Sequence, residues 1–161
     1  KVQKGIKLHR HIDTYTDAHS IPKISSRRLH ANYSHYSRVI VDIYYDHFLA
    51  KNWSKYSDTP LDIFVEDFYD LLEDNYEILP EGVKRMMPYM ISDNWLYNYS
   101  KMEGIGNVLN GMNRRTKNKS KMNFAIIDLE EHYDSFEKEF TEFFEELITF
   151  SKHKYISLFS K

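Results

Sequence analysis

Seven apolar residues near the C-terminal end, Leu129, Tyr133, Phe136, Phe140, Phe143, Leu147 and Phe150, recur at alternating steps of four and three. That spacing stays on one side of an α-helix, because a helical turn takes 3.6 residues. A strand cannot use it, since strand side chains alternate with period two. The stripe must be buried, and it is expected to pack into its own domain rather than form a dimer seam.

The rest of the chain keeps the same period. No period-2 strand pair is found. Five Gly and four Pro in 161 residues leave little material for the tight turns of a β-protein. The chain is therefore expected to be all-α, a compact helical bundle in a single domain over residues 1–161, large enough for a core of its own. Helices are predicted over residues 2–17, 23–30 and 34–53. Residues 18–22 break the first two, because proline disfavours helix in the residue before it. Thr59 is expected to cap a helix with Pro60 at its first position. That helix places Leu61, Phe64, Val65, Phe68, Leu71 and Leu72 on one face. Further helices are predicted over 83–91, 94–99 and 103–115, and a last long one carries the stripe from Leu129.

The chain has no cysteine. That excludes a disulfide scaffold, a thiolate zinc site, an iron–sulfur cluster and a cysteine nucleophile. It suits a reducing compartment, and a cytoplasmic location is expected. No segment resembles a signal peptide, and the most apolar window, 39–50, is interrupted by Asp42, Asp46 and His47, so no membrane partner is expected. With 22 basic and 24 acidic side chains the formal net charge is −2, which excludes a uniformly basic nucleic-acid binder. The charge is unevenly placed. Residues 61–81 carry acids and no bases, whereas Arg114, Arg115, Lys117, Lys119 and Lys121 crowd one short stretch. Such a run is either a solvated face or an attractor for an anionic substrate or acidic partner.

Two predicted helices carry polar residues in patterns that bear on chemistry. His9, Asp13 and Asp17 follow at i, i+4 and i+8, so they form one stripe. Asp42 and Asp46 are also i and i+4, with His47 adjacent, in a helix otherwise apolar nearly all round. Such a helix is expected to be buried, and buried carboxylates need a counter-charge or a cation. One reading is a mixed His/Asp metal site between helices, suited to Mn²⁺, Fe²⁺ or Zn²⁺. The other is ion pairing with Arg10, Arg27, Arg28 or Arg38. His19, His30, His35, His132 and His153 have no acid at telling spacing. Trp53 and Trp95 are candidates for lining a ligand pocket. No GxxxxGK[ST], HExxH or GxSxG motif occurs.

Three segments, LHRHIDTYTDAH (8–19), VDIYYDHFLAKNW (41–53) and NVLNGMNRR (107–115), resemble the acyl-carrier-protein phosphodiesterase family, in its order and at similar separations. LEEHYDSFEKEF (129–140) resembles the family's last helix. The family is similar to the helical HD-domain metal-dependent phosphohydrolases. The resemblance implies an HD-domain-like fold, Mn²⁺ as cofactor and acyl carrier protein as partner. The implied reaction hydrolyses the phosphodiester joining 4′-phosphopantetheine to a serine of holo-carrier protein.

The family pattern HRxIDxxTD falls on His9, Arg10, Ile12, Asp13, Thr16 and Asp17. DxxxDHFL falls on Asp42, Asp46, His47, Phe48 and Leu49, and GMxxR on Gly111, Met112 and Arg115. The Asp46-His47 order reverses the usual His-Asp doublet. The chain starts after a family segment with NFLAH-like and GNxxADF-like motifs. It is thus expected to be N-terminally incomplete, lacking a histidine and an aspartate that would complete the metal site.

On this resemblance His9, Asp46 and His47 are the expected metal ligands. Asp13 and Asp42 are expected as further ligands, as a water-orienting base or as partners that orient a ligand. Arg10 is expected to hold the phosphate bidentately. Asp17 and Trp53 are expected substrate contacts. Arg114, Arg115, Lys117, Lys119 and Lys121 are expected to dock the acidic carrier protein. The rival readings are a phosphohydrolase of another small phosphodiester or nucleotide, and a non-catalytic helical binding module.

Overall fold

The computed structural model describes residues 2–160. Its helices are α1 (Val2–Ala18), α2 (Ser20–Tyr33), α3 (Ser37–Lys51), α4 (Leu61–Asp74), α5 (Glu81–Ser92), α6 (Trp95–Asn98), α7 (Met102–Arg115), α8 (Ala125–Glu131) and α9 (Tyr133–Phe159). Short 3₁₀ turns fill several connections, and no strand occurs among the described residues, as the period required.

The apolar helix α3 lies at the centre, packed against α2, α7 and α9. Ile40, Ile43, Tyr44, Tyr45, His47 and Phe48 are buried. Arg38, Asp42 and Asp46, at i, i+4 and i+8, are the stripe of α3 that solvent reaches. The expectation of fully buried carboxylates is corrected here. The helix is apolar enough to be central, yet one narrow stripe escapes coverage, and the acids occupy it.

The stripe of α9 is inserted against α2 and α3. Phe136, Phe140 and Phe143 are buried. Tyr44 meets Phe136 edge-on at 5.0 Å, and Tyr45 meets Phe140 at 5.6 Å. Such pairs add to the burial of the rings themselves. The Arg28 guanidinium covers the Phe136 ring at 4.6 Å and pairs with Glu139. The Tyr45 hydroxyl donates to Ser25, which donates to Glu139, so the polar groups entering the core have partners.

Helices α4, α5 and α6 build a second, smaller core around Val65, Tyr69, Met87 and Met90. The Tyr69 hydroxyl donates to the Met90 carbonyl at 3.2 Å and accepts from the Leu96 N–H at 3.1 Å. Trp53 braces the entry to α4. Its indole N–H donates to the Thr59 carbonyl at 2.8 Å, and its ring lies 4.6 Å from Phe64. The indole N–H of Trp53 is thus engaged in that connection.

Three boundaries differ from expectation. Pro22 does not break the chain. It occupies the first turn of α2, where helical N–H groups have no intrahelical acceptor to lose. The break falls within the expected 18–22 but is confined to His19, whose Nδ1 accepts the Ile21 N–H at 3.3 Å and whose Nε2 lies 3.1 Å from Glu146. Pro60 is extended, with ψ 148, so the helix opens at Leu61 rather than at Pro60. The last helix is two, because His132 leaves helical geometry at φ −116 and ψ 25. The Leu129–Phe150 stripe runs across that joint.

Ser34 closes α2 with φ 50 and ψ −130, a conformation that favours glycine. Ser34→Gly is expected to stabilise the protein by about 1 kcal/mol, read as a rise in Tm of about 2–4 °C. An unchanged or lower Tm would show that Ser34 is not strained.

Candidate active site

The open stripe of α3 gathers the chemistry-bearing side chains. Burial and the charges of Asp17 and Asp13 raise the Asp42 carboxyl to about 6. Burial and the charge of Asp42 raise Asp46 to about 6. Solvent reaches both residues, yet enough protein surrounds the carboxyls to weaken their hydration. Asp13 and Asp17 of α1 therefore stand near enough to Asp42 of α3 for their charges to act on it. Neither Asp42 nor Asp46 is in an ion pair among the described residues. The arginine-pairing alternative is not realised, and Arg28 is engaged by Glu139.

His9 approaches Asp13 through Nδ1 at 2.8 Å, and both are well exposed. The contact orients the ring and leaves Nε2 facing outward. Arg10, one helical step of about 100° from His9, is exposed and is in no ion pair among the described residues.

His47 is elsewhere. It is 2% exposed and directed away from the two acids. Its Nδ1 donates to the Tyr99 carbonyl at 2.8 Å, and its Nε2 accepts from the Tyr133 hydroxyl at 2.7 Å. A carbonyl only accepts, so the proton is fixed on Nδ1. Burial lowers the His47 pKa, which favours the neutral ring. Both nitrogens are used, which corrects the expectation that His47 ligates a metal. One helical step of about 100° separates Asp46 from His47 and puts them on different sides of α3. Among the described residues no three His, Asp or Glu side chains form a ready-made metal-binding group. The carboxyls that act on one another are Asp13 and Asp17 on Asp42, and Asp42 on Asp46; oxygen donors of this kind suit a hard cation.

Sequence reasoning missed Tyr99. Burial and the charge of Asp46 raise its phenol to about 12, while Arg115 acts in the opposite sense. The phenol therefore stands near both Asp46 and the C-terminal end of α7. Its segment is pinned because α7 starts very close to α6. A Cβ on Gly104 would lie 2.0 Å from the Asn98 carbonyl oxygen, which only glycine permits. No sequence signal links Tyr99 to α3, because 52 residues separate it from His47.

The basic residues 114–121 are exposed, as expected, and only Arg115 is tied to this face. Two shallow depressions on α9, one lined by Asp134, Glu137 and Glu142 and one by Tyr15, Glu146 and Phe150, contain none of the four acids.

The raised carboxyls give a pH prediction. The folded state holds its protons up to about pH 6, whereas the unfolded chain loses them near 4. Between these values the native state binds more protons, so stability is highest at the acid end and falls as pH rises to about 6. A Tm profile for Asp42→Asn is expected to be flatter over that window. An equally steep profile would remove Asp42 as the source.

The comparisons with known proteins place this all-α chain among the hydrolases of phosphodiester bonds. A family model described as acyl carrier protein phosphodiesterase matches residues 1–147, and the chain belongs to that family. An acyl carrier protein phosphodiesterase of Photorhabdus laumondii is 32% identical over 155 residues, covering 95% of this chain and 78% of the relative. One of Pectobacterium atrosepticum is 28% identical, covering 94% and 79%. One of Escherichia coli is 33% identical over 159 residues, covering 95% and 80%. No solved structure matches the chain, so the HD-domain likeness rests on the sequence alone.

Proposed function

We propose that the chain hydrolyses the phosphodiester between 4′-phosphopantetheine and a serine of holo-acyl carrier protein, with Mn²⁺ as cofactor. The products are apo-carrier protein and 4′-phosphopantetheine. The observation that carries the reading is the pair Asp42 and Asp46, each raised to about 6 on the open side of α3 with no ion-pair partner among the described residues. Carboxylates in that state are relieved by a cation, and family membership supplies the substrate class.

In this reading Asp46 and Asp42 hold the cation, and His9 offers Nε2 from the rim. The bound cation would lower the pKa of a water and offset phosphate charge. The chain's own side chains do the rest. Asp13 fixes the His9 ring. Asp17 sets the charge felt by Asp42. Arg10 grips the phosphate oxygens, for which a planar guanidinium is suited. Tyr99 bounds the site beside Asp46.

The test is incubation of the full chain with holo-carrier protein and Mn²⁺, followed by mass spectrometry, beside a generic phosphodiester. Loss of the phosphopantetheine mass from carrier protein is expected. Cleavage of only the generic substrate would exclude this reading and favour another phosphohydrolase.

A further inference from the structure

Beyond the end of α7 the chain makes a compact loop whose lysines stand on a rigid frame. Lys117, Asn118 and Lys121 have φ of 55, 62 and 57, the left-handed region that lysine rarely enters. The frame is a set of side-chain hydrogen bonds inside the loop. Ser120 donates to Asn113 Oδ1 at 3.0 Å, and Asn113 Nδ2 donates to Asn118 Oδ1 at 3.0 Å. The Thr116 hydroxyl donates to the Asn113 carbonyl at 2.8 Å. Asn113 and Ser120 are buried, while Lys117, Lys119 and Lys121 project outward with no ion pair among the described residues.

Directly after the loop, Phe124 and Ile127 are 55% and 57% exposed. Phe124 ends the 3₁₀ turn that leads into α8 and Ile127 lies in the first turn of α8; with Phe124 in helical geometry, the two, three residues apart, lie toward one side. Nothing among the described residues covers them. Their neighbours Met122, Ala125 and Leu129 are fully buried, so α8 is anchored and the two outward side chains are held in place.

We propose that Phe124 and Ile127, with Lys117, Lys119 and Lys121, form one docking surface for an acidic amphipathic helix of a protein partner. Exposed aromatic and aliphatic anchors supply affinity, and the surrounding cations steer and set register. Arg115 ends α7 directly before the loop, and its charge acts on Tyr99. The choice of an acidic carrier protein as the occupant rests on the proposed function. A protein helix fits better than an anionic lipid surface. Glu130 and Glu131 are exposed one turn beyond Ile127. A helix of about 10–12 Å diameter can lie short of them, whereas a flat anionic membrane would meet them.

The test uses apo-carrier protein as the probe, because it has no phosphodiester to cleave. Binding is followed by titration calorimetry at several salt concentrations, on the full chain. The double variant Phe124→Ser/Ile127→Ser is expected to weaken binding about tenfold with the salt slope kept. The triple variant Lys117→Gln/Lys119→Gln/Lys121→Gln is expected to weaken it at low salt and flatten the slope. All five side chains are exposed, and circular dichroism checks that the variants stay folded. Parent-like binding by either variant would overturn the surface. So would binding of the parent to phosphatidylglycerol vesicles but not to carrier protein. A parent that binds apo-carrier protein through these residues yet leaves holo-carrier protein intact supports the surface and contradicts the proposed activity.

Discussion

Asp46→Asn is expected to lower kcat/KM for holo-carrier protein by about 10²–10⁴-fold, the range that a positioned acid or base supplies. The change is nearly isosteric and removes one charge. Asp46 faces solvent from the open stripe of α3, and it is in no ion pair among the described residues. Its loss therefore removes repulsion with Asp42 rather than a stabilising contact. Tm at neutral pH is expected to stay level or rise, by an amount limited by solvent screening. Activity and stability then move in opposite senses, which separates a working carboxylate from a structural one. A variant with parent-like kcat/KM would remove Asp46 from the site. One that loses both activity and Tm would make it structural.

Phe136→Ala gives the largest expected effect on stability. Phe136 is fully buried and meets Tyr44 edge-on, and Arg28 lies over its face. Truncation leaves a cavity where α3 and α9 meet, and it removes the surface on which Arg28 rests while paired with Glu139. The expected cost is about 3–5 kcal/mol. For a domain of this size it is read as a Tm loss on the order of 10 °C. Phe64→Ala, at a ring 42% exposed in the smaller core region, is the control and is expected to cost far less. Equal losses would mean that the α3–α9 contact does not dominate the fold.

The helical period made most of the architecture legible. Phe136, Phe140 and Phe143 are in the core because their spacing left them no other place. What the period could not show is where a helix is cut by a single residue. His132 interrupts the last helix without disturbing the stripe, since the hydrogen bonds from His132 N–H to Asp128 and from Phe136 N–H to His132 continue on either side. Pro22 was misread for a related reason. Proline is a breaker inside a helix and is tolerated in its first turn, and only the cap at His19 decides which applies.

The site was legible where it lies on one helix. The i, i+4 rows of α1 and α3 were visible as rows, and what the sequence did not show is that the charges of Asp13 and Asp17 act on Asp42. Adjacency in sequence misled at His47. Neighbours on a helix point about 100° apart, so the Asp46-His47 doublet divides between the open side and the core. Tyr99, in the turn after α6, and Tyr133, at the start of α9, meet His47 from distant parts of the chain and carry no local signal.

The central claim is that the carboxylates on the open side of α3, and not the buried imidazole beside them, are the cation-holding groups. Its most direct test is Mn²⁺ titration of the parent, Asp42→Asn, Asp46→Asn and His47→Gln, each followed calorimetrically below its own Tm. Both aspartate variants are expected to lose Mn²⁺ binding. The folded His47→Gln protein is expected to keep the parent affinity within about threefold, even with a lowered Tm from its lost hydrogen bonds. Binding retained by both aspartate variants and lost by folded His47→Gln would contradict the account.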